Sequence, residues 1–325
     1  MGELAAGAPP GPPPSGSRFA VGWSAVLGAV LVVSAALFAA LSWSVLLAGH
    51  PAHLVALAVA AVVGLLVLGR AVRLARRARA PRHGRWLRLL GRAAALVAVL
   101  AVVGSFAYLK PFGADTTAVA AMGGGDGVRV TDAATTITLE PTSGQATRGL
   151  VFQPGARVDP RAYVPLLERV AADGVLVVVV KQPFDIGFLA VGAPDAVVAA
   201  HPEVTAWAVG GHSLGGVAAS SWAGANSGTA KGLVLWASYP LGSLADSGLR
   251  VASVSGTRDG LATPADIAAS RSDLPASTTY TAVEGGVHAF FGDYGEQPGD
   301  GTPTVSRADA QRQVVAATTS LLDSL

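Results

Sequence analysis

Three long runs without a charged residue occupy the first third of this chain and limit what it can fold into. They extend over residues 19–48, 54–69 and 93–109. A helix of about 20 apolar residues is long enough to cross the hydrocarbon core of a bilayer. The sequence therefore predicts a membrane region at residues 19–110, with the lipid bilayer as partner and transmembrane helices at about residues 20–48, 53–69 and 90–109.

A block of arginines fixes the expected orientation of these helices. Nine arginines and no acidic residue lie between Arg70 and Arg92, in the segment that joins the second run to the third. Short arginine-rich loops stay on the cytoplasmic side. We therefore expect a multi-pass protein of the cell membrane, with a cytoplasmic N-terminus and an extracytoplasmic chain after Lys110. A direct contact of the arginines with anionic lipid is the alternative.

The rest of the chain divides by composition. Residues 1–18 are rich in proline and glycine and are predicted to be a disordered tail, and residues 111–127 to be a flexible linker. Residues 128–325 are long enough to bury a core of their own. From Asp126 onward, 12 Lys and Arg stand against 19 Asp and Glu. This net charge of −7 argues against nucleic acid as a partner. The absence of cysteine excludes disulfides and thiol catalysis.

Residues 128–325 alternate between strand-like and helix-like segments. The six consecutive Val and Leu residues of 175–180 are typical of a parallel strand that is covered on both faces. Amphipathic or alanine-rich segments separate this run from similar apolar runs before and after it. The pattern predicts an α/β fold, with a doubly wound, mostly parallel sheet and helices on both faces.

The sequence GHSLGG at residues 211–216 follows one of these strands and opens a helix-like segment. A serine on a sharp turn between a strand and a helix is typical of a nucleophile elbow. Ser213 would lie at the carboxyl end of a central strand, where open α/β sheets place their ligands. Ser213 is therefore the candidate nucleophile.

A serine nucleophile needs a general base and a carboxylate that orients it. His288 is the only histidine after Ser213, and it follows the last predicted strand. The acidic residues between the two are Asp246, Asp259, Asp266, Asp273 and Glu284. Asp259 is preferred because it lies in a turn directly after a strand, whereas Asp266 and Asp273 fall in or after the next helix and Glu284 is too near His288. The predicted catalytic set is Ser213, His288 and Asp259. Ordinary turn and loop roles are the alternatives for the last two.

Two backbone amides are needed to stabilise the negative charge that develops on the substrate oxygen. We expect them from Leu214, which follows the serine, and from Ala156 or else Gly155 in the turn after the third strand. Phe184, Tyr239 and Phe290 are candidate substrate-binding residues, although aromatics in such loops also pack in cores. The acidic, glycine-rich loop 292–301 lacks the spacing of a calcium site, so no metal or cofactor is expected.

With these residues in place, residues 148–325, about 55% of the chain, resemble the α/β-hydrolase superfamily. The resemblance is carried by FQPGA at 152–156, GHSLGG at 211–216, GTRD at 256–259 and GVHA at 286–289. It is closest to small, single-domain members of the dienelactone-hydrolase type. Those enzymes use cysteine as nucleophile and this chain has none, so their substrate is not implied. Only 13 residues, 237–249, follow the strand after the elbow, too few for a lid domain.

The resemblance implies hydrolysis of a small-molecule carboxylic ester through an acyl-serine intermediate. The membrane region lies outside the resemblance, and the two together predict a membrane-anchored serine hydrolase. Two alternatives stay open from the sequence. One is a catalytically silent binding module with the same fold. The other is thioesterase, peptidase or acyltransferase chemistry, because the same three side chains serve all of these reactions.

Overall fold

The computed structural model describes residues 15–77, 84–125 and 127–325. The described residues form two compact units. One contains the residues up to Trp43 together with Leu54–Tyr108, and the other contains Ser44–His53 together with Leu109–Leu325. The disordered tail predicted at 1–18 lies outside the described residues, apart from its last four, which begin the first helix.

The first unit is helical. Its helices are α1 (Ser15–Ala48), α2 (Ala52–Arg77) and α3 (Arg85–Tyr108). Within them, three segments are long and apolar enough to cross a membrane: Gly22–Ala48, Ala52–Arg76 and Leu89–Tyr108. These segments match the three predicted spans. The middle of the arginine block, residues 78–83, lies outside the described residues.

Two glycines let α1 and α2 approach closely. A Cβ atom added at Gly28 would lie 2.8 Å from the carbonyl oxygen of Gly64, and one added at Gly64 would lie 2.8 Å from that of Gly28. Helices in membranes pack by such close backbone approach, because lipid supplies no hydrophobic force between them. A larger side chain at either position would push the two helices apart.

The second unit is an α/β domain. Its strands are β1 (Val128–Asp132), β2 (Thr136–Pro141), β3 (Arg148–Gln153), β4 (Val175–Val180), β5 (Ala206–His212), β6 (Ala230–Trp236), β7 (Arg250–Gly256) and β8 (Thr279–Val283). Its helices are α4 (Thr116–Ala121), α5 (Val164–Ala172), α6 (Ala193–Ala200), α7 (Leu214–Ala225), α8 (Pro264–Ala269) and α9 (Arg307–Asp323).

The eight strands form one sheet in the order β1-β2-β4-β3-β5-β6-β7-β8. Strands β1 and β2 pair in antiparallel fashion, β2 is antiparallel to β4, and all pairs from β4 to β8 are parallel. Every residue of β4 is buried, as its run of Val and Leu predicts. The predicted α/β fold with a mostly parallel sheet is therefore confirmed.

Each face of the sheet has its own core. Under α5 and α9, Phe152 and Trp236 pack with their ring centroids 4.6 Å apart. On the other face, Val209 packs beneath Trp222 of α7. Full burial of one such side chain stabilises the fold by about 1.5–3 kcal/mol. The two cores hold the carboxyl ends of the central strands in fixed positions, and the loops that follow them carry the candidate site. Residues 237–249 contain no helix or strand, so no lid domain is inserted there.

The segment 111–127 corrects one prediction. It is not a flexible linker, because its described residues belong to the second unit and include α4. Phe112 forms a bridge with Val158, and the side chain of Asp115 caps α4 by accepting the N–H of Ala118. Ala118 is completely buried. The glycines of the segment suggested a linker, but these few apolar and capping residues are enough to fix it against the domain.

Candidate active site

Ser213 lies on a sharp turn between β5 and α7. Its backbone has φ 51° and ψ −125°, a conformation that is uncommon for any residue other than glycine. The turn is held because the N–H of Ser213 donates to the carbonyl of Trp236 (2.9 Å) and the carbonyl of Ser213 accepts the N–H of Gly216 (3.0 Å). Strain of this kind persists only where the surroundings impose it, and it is typical of a nucleophile elbow.

The glycines around the serine are required by close packing. A Cβ atom at Gly215 would lie 2.1 Å from the carbonyl oxygen of Gln153, and one at Gly216 would lie 2.5 Å from Ser238 Oγ. The start of α7 can therefore approach the end of β3 only without a side chain at Gly215, and the loop after β6 only without one at Gly216. The same packing brings the loop after β3 next to Ser213.

Asp259 and His288 form a buried pair at the ends of β7 and β8. His288 Nδ1 lies 2.8 Å from Asp259 Oδ2, and both side chains are almost completely buried. The other carboxylate oxygen of Asp259 accepts the backbone N–H groups of Leu261 and Ala262, each at 2.8 Å. A carboxylate held in this way fixes the orientation of the imidazole and directs Nε2 away from it.

His288 also lies beside the elbow. Its ring centroid is 4.4 Å from that of His212, which directly precedes Ser213. Its Nε2 atom is buried and has no hydrogen-bond partner among the described residues. A hydrogen bond from Ser213 Oγ to this nitrogen is not formed in the ligand-free geometry. Such bonds are often long without substrate and shorten when it binds.

Asp300, which no sequence pattern singles out, ties together the loops that carry Asp259 and His288. Its carboxylate accepts the N–H groups of Gly260 (3.2 Å), His288 (3.0 Å) and Ala289 (2.8 Å). One acidic side chain therefore fixes both the loop that carries Asp259 and the loop that carries His288. It lies in the acidic loop 292–301, and the sequence of that loop does not show which carboxylate accepts hydrogen bonds from the loops of Asp259 and His288. No cluster of three metal-ligand side chains occurs in the described parts of the chain.

Two of the three predicted oxyanion-binding amides are free. Among the described residues, the N–H groups of Ala156 and Leu214 have no hydrogen-bond partner. The prediction for Gly155 is wrong, because its N–H donates to the hydroxyl of Tyr163 at 2.9 Å. A buried hydroxyl that folds back onto the turn occupies this amide, and nothing in the local sequence indicates that contact.

Tyr163 links this turn to the elbow. Besides accepting from Gly155, its hydroxyl lies 2.9 Å from His212 Nδ1. Burial raises the pKa of Tyr163, so the hydroxyl keeps its proton. Burial and then the charge of His288 lower the pKa of His212 well below its usual value, so this imidazole is neutral. The Tyr163 hydroxyl therefore joins the turn after β3 to the neutral imidazole of His212.

Asp185 supports the same turn from the other side. Its carbonyl accepts the N–H of Arg157 at 2.8 Å, next to Ala156. Asp185 has φ 52° and is only 3% exposed. Burial, and then the negative charge of Asp159, raise the pKa of its carboxyl to about 8. Asp185 is therefore a buried, neutral carboxylic acid, and its backbone contacts the residue that follows Ala156, whose amide is predicted to bind the oxyanion.

The three predicted substrate-binding aromatics do not come together. Phe184 packs edge-on against His53, at 5.2 Å between ring centroids. Tyr239 is 39% exposed, on the loop after β6. Phe290 lies against the guanidinium of Arg307, 4.8 Å away. Phe291 instead stacks on His212, with ring centroids 5.8 Å apart.

Comparison with known proteins extends this description. A model described as "Alpha/beta hydrolase family" matches residues 149–313, half of the chain. No curated protein matches the sequence. Two solved structures are similar at 13% identity over 61% of this chain. One is described as a predicted CIB-like hydrolase from Thermoplasma acidophilum (100% of that chain, TM-score 0.46). The other is Est1E from Butyrivibrio proteoclasticus with ferulic acid bound (97% of that chain, TM-score 0.45).

Proposed function

This chain belongs to the alpha/beta hydrolase family, and from that premise we propose that it is a membrane-anchored serine hydrolase of carboxylic esters. The observation that carries the proposal is the buried pair of His288 and Asp259, 2.8 Å apart, beside a strained serine turn. In this proposal Ser213 is the nucleophile, His288 the general base and Asp259 the group that orients it.

The reaction follows from the positions of these groups. Ser213 Oγ attacks the ester carbonyl carbon as its proton passes to Nε2 of His288, and the carbonyl π electrons move to oxygen. The oxyanion re-forms the carbonyl and breaks the bond to the alcohol, which leaves with the proton from His288. Water then attacks the acyl-serine by the same route, its proton going to His288. The acid is released, and the proton returns to Ser213.

Asp259 and the two free amides stabilise the charges that develop in these steps. In this proposal the carboxylate of Asp259 stabilises the imidazolium of His288 through the 2.8 Å contact. The N–H groups of Ala156 and Leu214 would bind the oxyanion. Loss of one such donor typically costs a factor of about 10²–10³ in rate. Because Leu214 is the first residue of α7, the dipole of that helix adds to the stabilisation.

We also propose that α1–α3 anchor this domain and that the domain lies outside the cytoplasm. The residues that join α1 to α2 belong to the compact unit that contains the catalytic domain. If the helices span the membrane, that turn and the domain therefore share one side. The arginines between α2 and α3 lie on the other side, which is the cytoplasmic one for a short basic loop.

Labelling by a fluorophosphonate probe tests the catalytic role of Ser213 in the full-length protein. We expect Ser213→Ala to abolish labelling and to lower hydrolysis of p-nitrophenyl butyrate by at least about 10³-fold. Ser221→Ala is the matched control, because Ser221 has similar exposure and lies on α7. We expect it to label like the wild type. A folded Ser213→Ala protein that still labels fully would refute the assignment.

A further inference from the structure

The turn between α1 and α2 packs directly on the loops of the candidate site. Nη2 of Arg161 lies 3.3 Å from Ser44 Oγ and 3.4 Å from the Ser44 carbonyl oxygen. The same guanidinium forms a buried ion pair with Asp159, at 2.7 Å. Asp159 belongs to the loop that follows β3 and carries Ala156. Ser44, near the end of a proposed transmembrane helix, is therefore connected through the side chain of Arg161 to the loop that carries Ala156.

A second set of contacts reaches the same loop. The ring of His53, in the first turn of α2, packs against Phe184. A Cβ atom added at Gly49 would lie 4.0 Å from Asp185 Oδ1. Asp185 in turn accepts the N–H of Arg157, beside Ala156. If α1 and α2 span the membrane, this turn lies at the bilayer surface, and the candidate site lies close to it.

A groove of about 690 Å³ opens beside this turn, within the second unit. This volume is in the range of ligand-binding pockets, about 300–1,000 Å³. Its walls are mostly apolar side chains of β4, α6 and the loop between them, and the turn contributes His50. The lining residues include His50, Val178, Phe188, Leu189, Ala196 and Val197.

The rim of this groove is exposed and apolar. Phe188 is 46% and Leu189 55% exposed, although both are large hydrophobic residues. Both belong to the short helical turn Gly187–Leu189. A Cβ atom at Gly187 would lie 3.2 Å from the carbonyl oxygen of Leu214, the residue after the nucleophile. Phe188, which lines the groove, therefore directly follows a residue that packs against the start of α7.

We propose that this groove binds the acyl chain of a lipid ester drawn from the bilayer, and that membrane-borne, long-chain esters are the substrate class of Ser213. The proposal rests on the serine hydrolase function proposed above. Apolar walls and an exposed apolar rim favour a hydrocarbon chain, and at the bilayer surface such chains come from lipids. His50 places the groove at that surface, because it lies between the end of α1 and the start of α2.

The test uses full-length protein in phosphatidylcholine vesicles. Two fluorogenic esters are compared, 4-methylumbelliferyl oleate carried in the vesicles and 4-methylumbelliferyl butyrate in solution. Ala196→Trp fills the groove, and Ala199→Trp is the control because Ala199 is exposed on the same helix but does not line it. We expect Ala196→Trp to lower the oleate-to-butyrate ratio of kcat/KM about tenfold, the equivalent of two methylene groups returned to water. Ala199→Trp should leave the ratio unchanged.

Each result decides a different claim. Equal ratios in the two tryptophan variants, or a wild type that does not favour the oleate ester, would overturn the groove proposal. Hydrolysis of the butyrate ester that depends on Ser213 would leave the proposed function standing in that case. If neither ester is cleaved in a Ser213-dependent way, the proposed function itself falls, and this inference falls with it.

Discussion

The buried carboxyl of Asp185 makes the stability of the catalytic domain depend on pH. The folded protein keeps the proton of Asp185 up to about pH 8, whereas the unfolded chain releases it above its ordinary pKa of 3.8. Between these values the folded state binds more protons than the unfolded state. The free energy of unfolding therefore falls as pH rises through this window.

The size of this effect follows from the two pKa values. Between the two pKa values, each pH unit lowers the free energy of unfolding by about 1.4 kcal/mol. From about pH 5 to about pH 8 the cost grows by about 4 kcal/mol. Asp185→Asn should remove it, because an amide has no proton to lose and asparagine tolerates the positive φ of this position as well as aspartate does.

The assay is the midpoint of thermal unfolding of the full-length protein in detergent micelles. For a domain of this size, about 1 kcal/mol corresponds to about 2–4 °C. The difference in unfolding midpoint between Asp185→Asn and the wild type should therefore grow by roughly 10 °C from about pH 5 to about pH 8, in favour of the variant. Asp246→Asn, at an exposed position, is the control and should show a constant difference. A difference for Asp185→Asn that is also constant with pH would refute the reasoning.

Two further predictions concern the oxyanion loop and the topology. Tyr163→Phe leaves the buried N–H of Gly155 and Nδ1 of His212 without a partner. It should lower kcat for a soluble ester about tenfold with little change in KM; a rise in KM alone would contradict the positioning role. Because the chain has no cysteine, Glu296→Cys gives a single label site at an exposed position. A membrane-impermeant maleimide should label it in intact cells, and labelling only after permeabilisation would invert the proposed orientation.

The architecture could be predicted because it depends on local patterns. The Val and Leu run of β4 requires burial on both faces, and the parallel sheet supplies it. The order of serine, acid and histidine left His288 as the only downstream histidine, and the loops after β7 and β8 bring it to Asp259. The catalytic roles of these residues stay predictions until they are tested.

The contacts between distant loops could not be predicted in this way. The hydroxyl of Tyr163 occupies the amide of Gly155 only because the helical turn after that loop folds back over it. Asp300 serves both catalytic loops although it lies 40 residues from Gly260. In each case the partner is chosen by the three-dimensional path of a loop, and neither periodicity nor spacing records that path.

The position of the α1–α2 turn also has a consequence for how the protein is made. Ser44–His53 is part of the catalytic unit, yet the ribosome synthesises it before any strand of the sheet. If α1 and α2 span the membrane as proposed, the domain is assembled around a piece that these two helices have already fixed there. A fragment that starts after the third helix lacks Ser44, the partner of Arg161, and the ring that packs on Phe184. On the proposed topology, insertion of the first helical hairpin is then a step in the folding of the α/β domain.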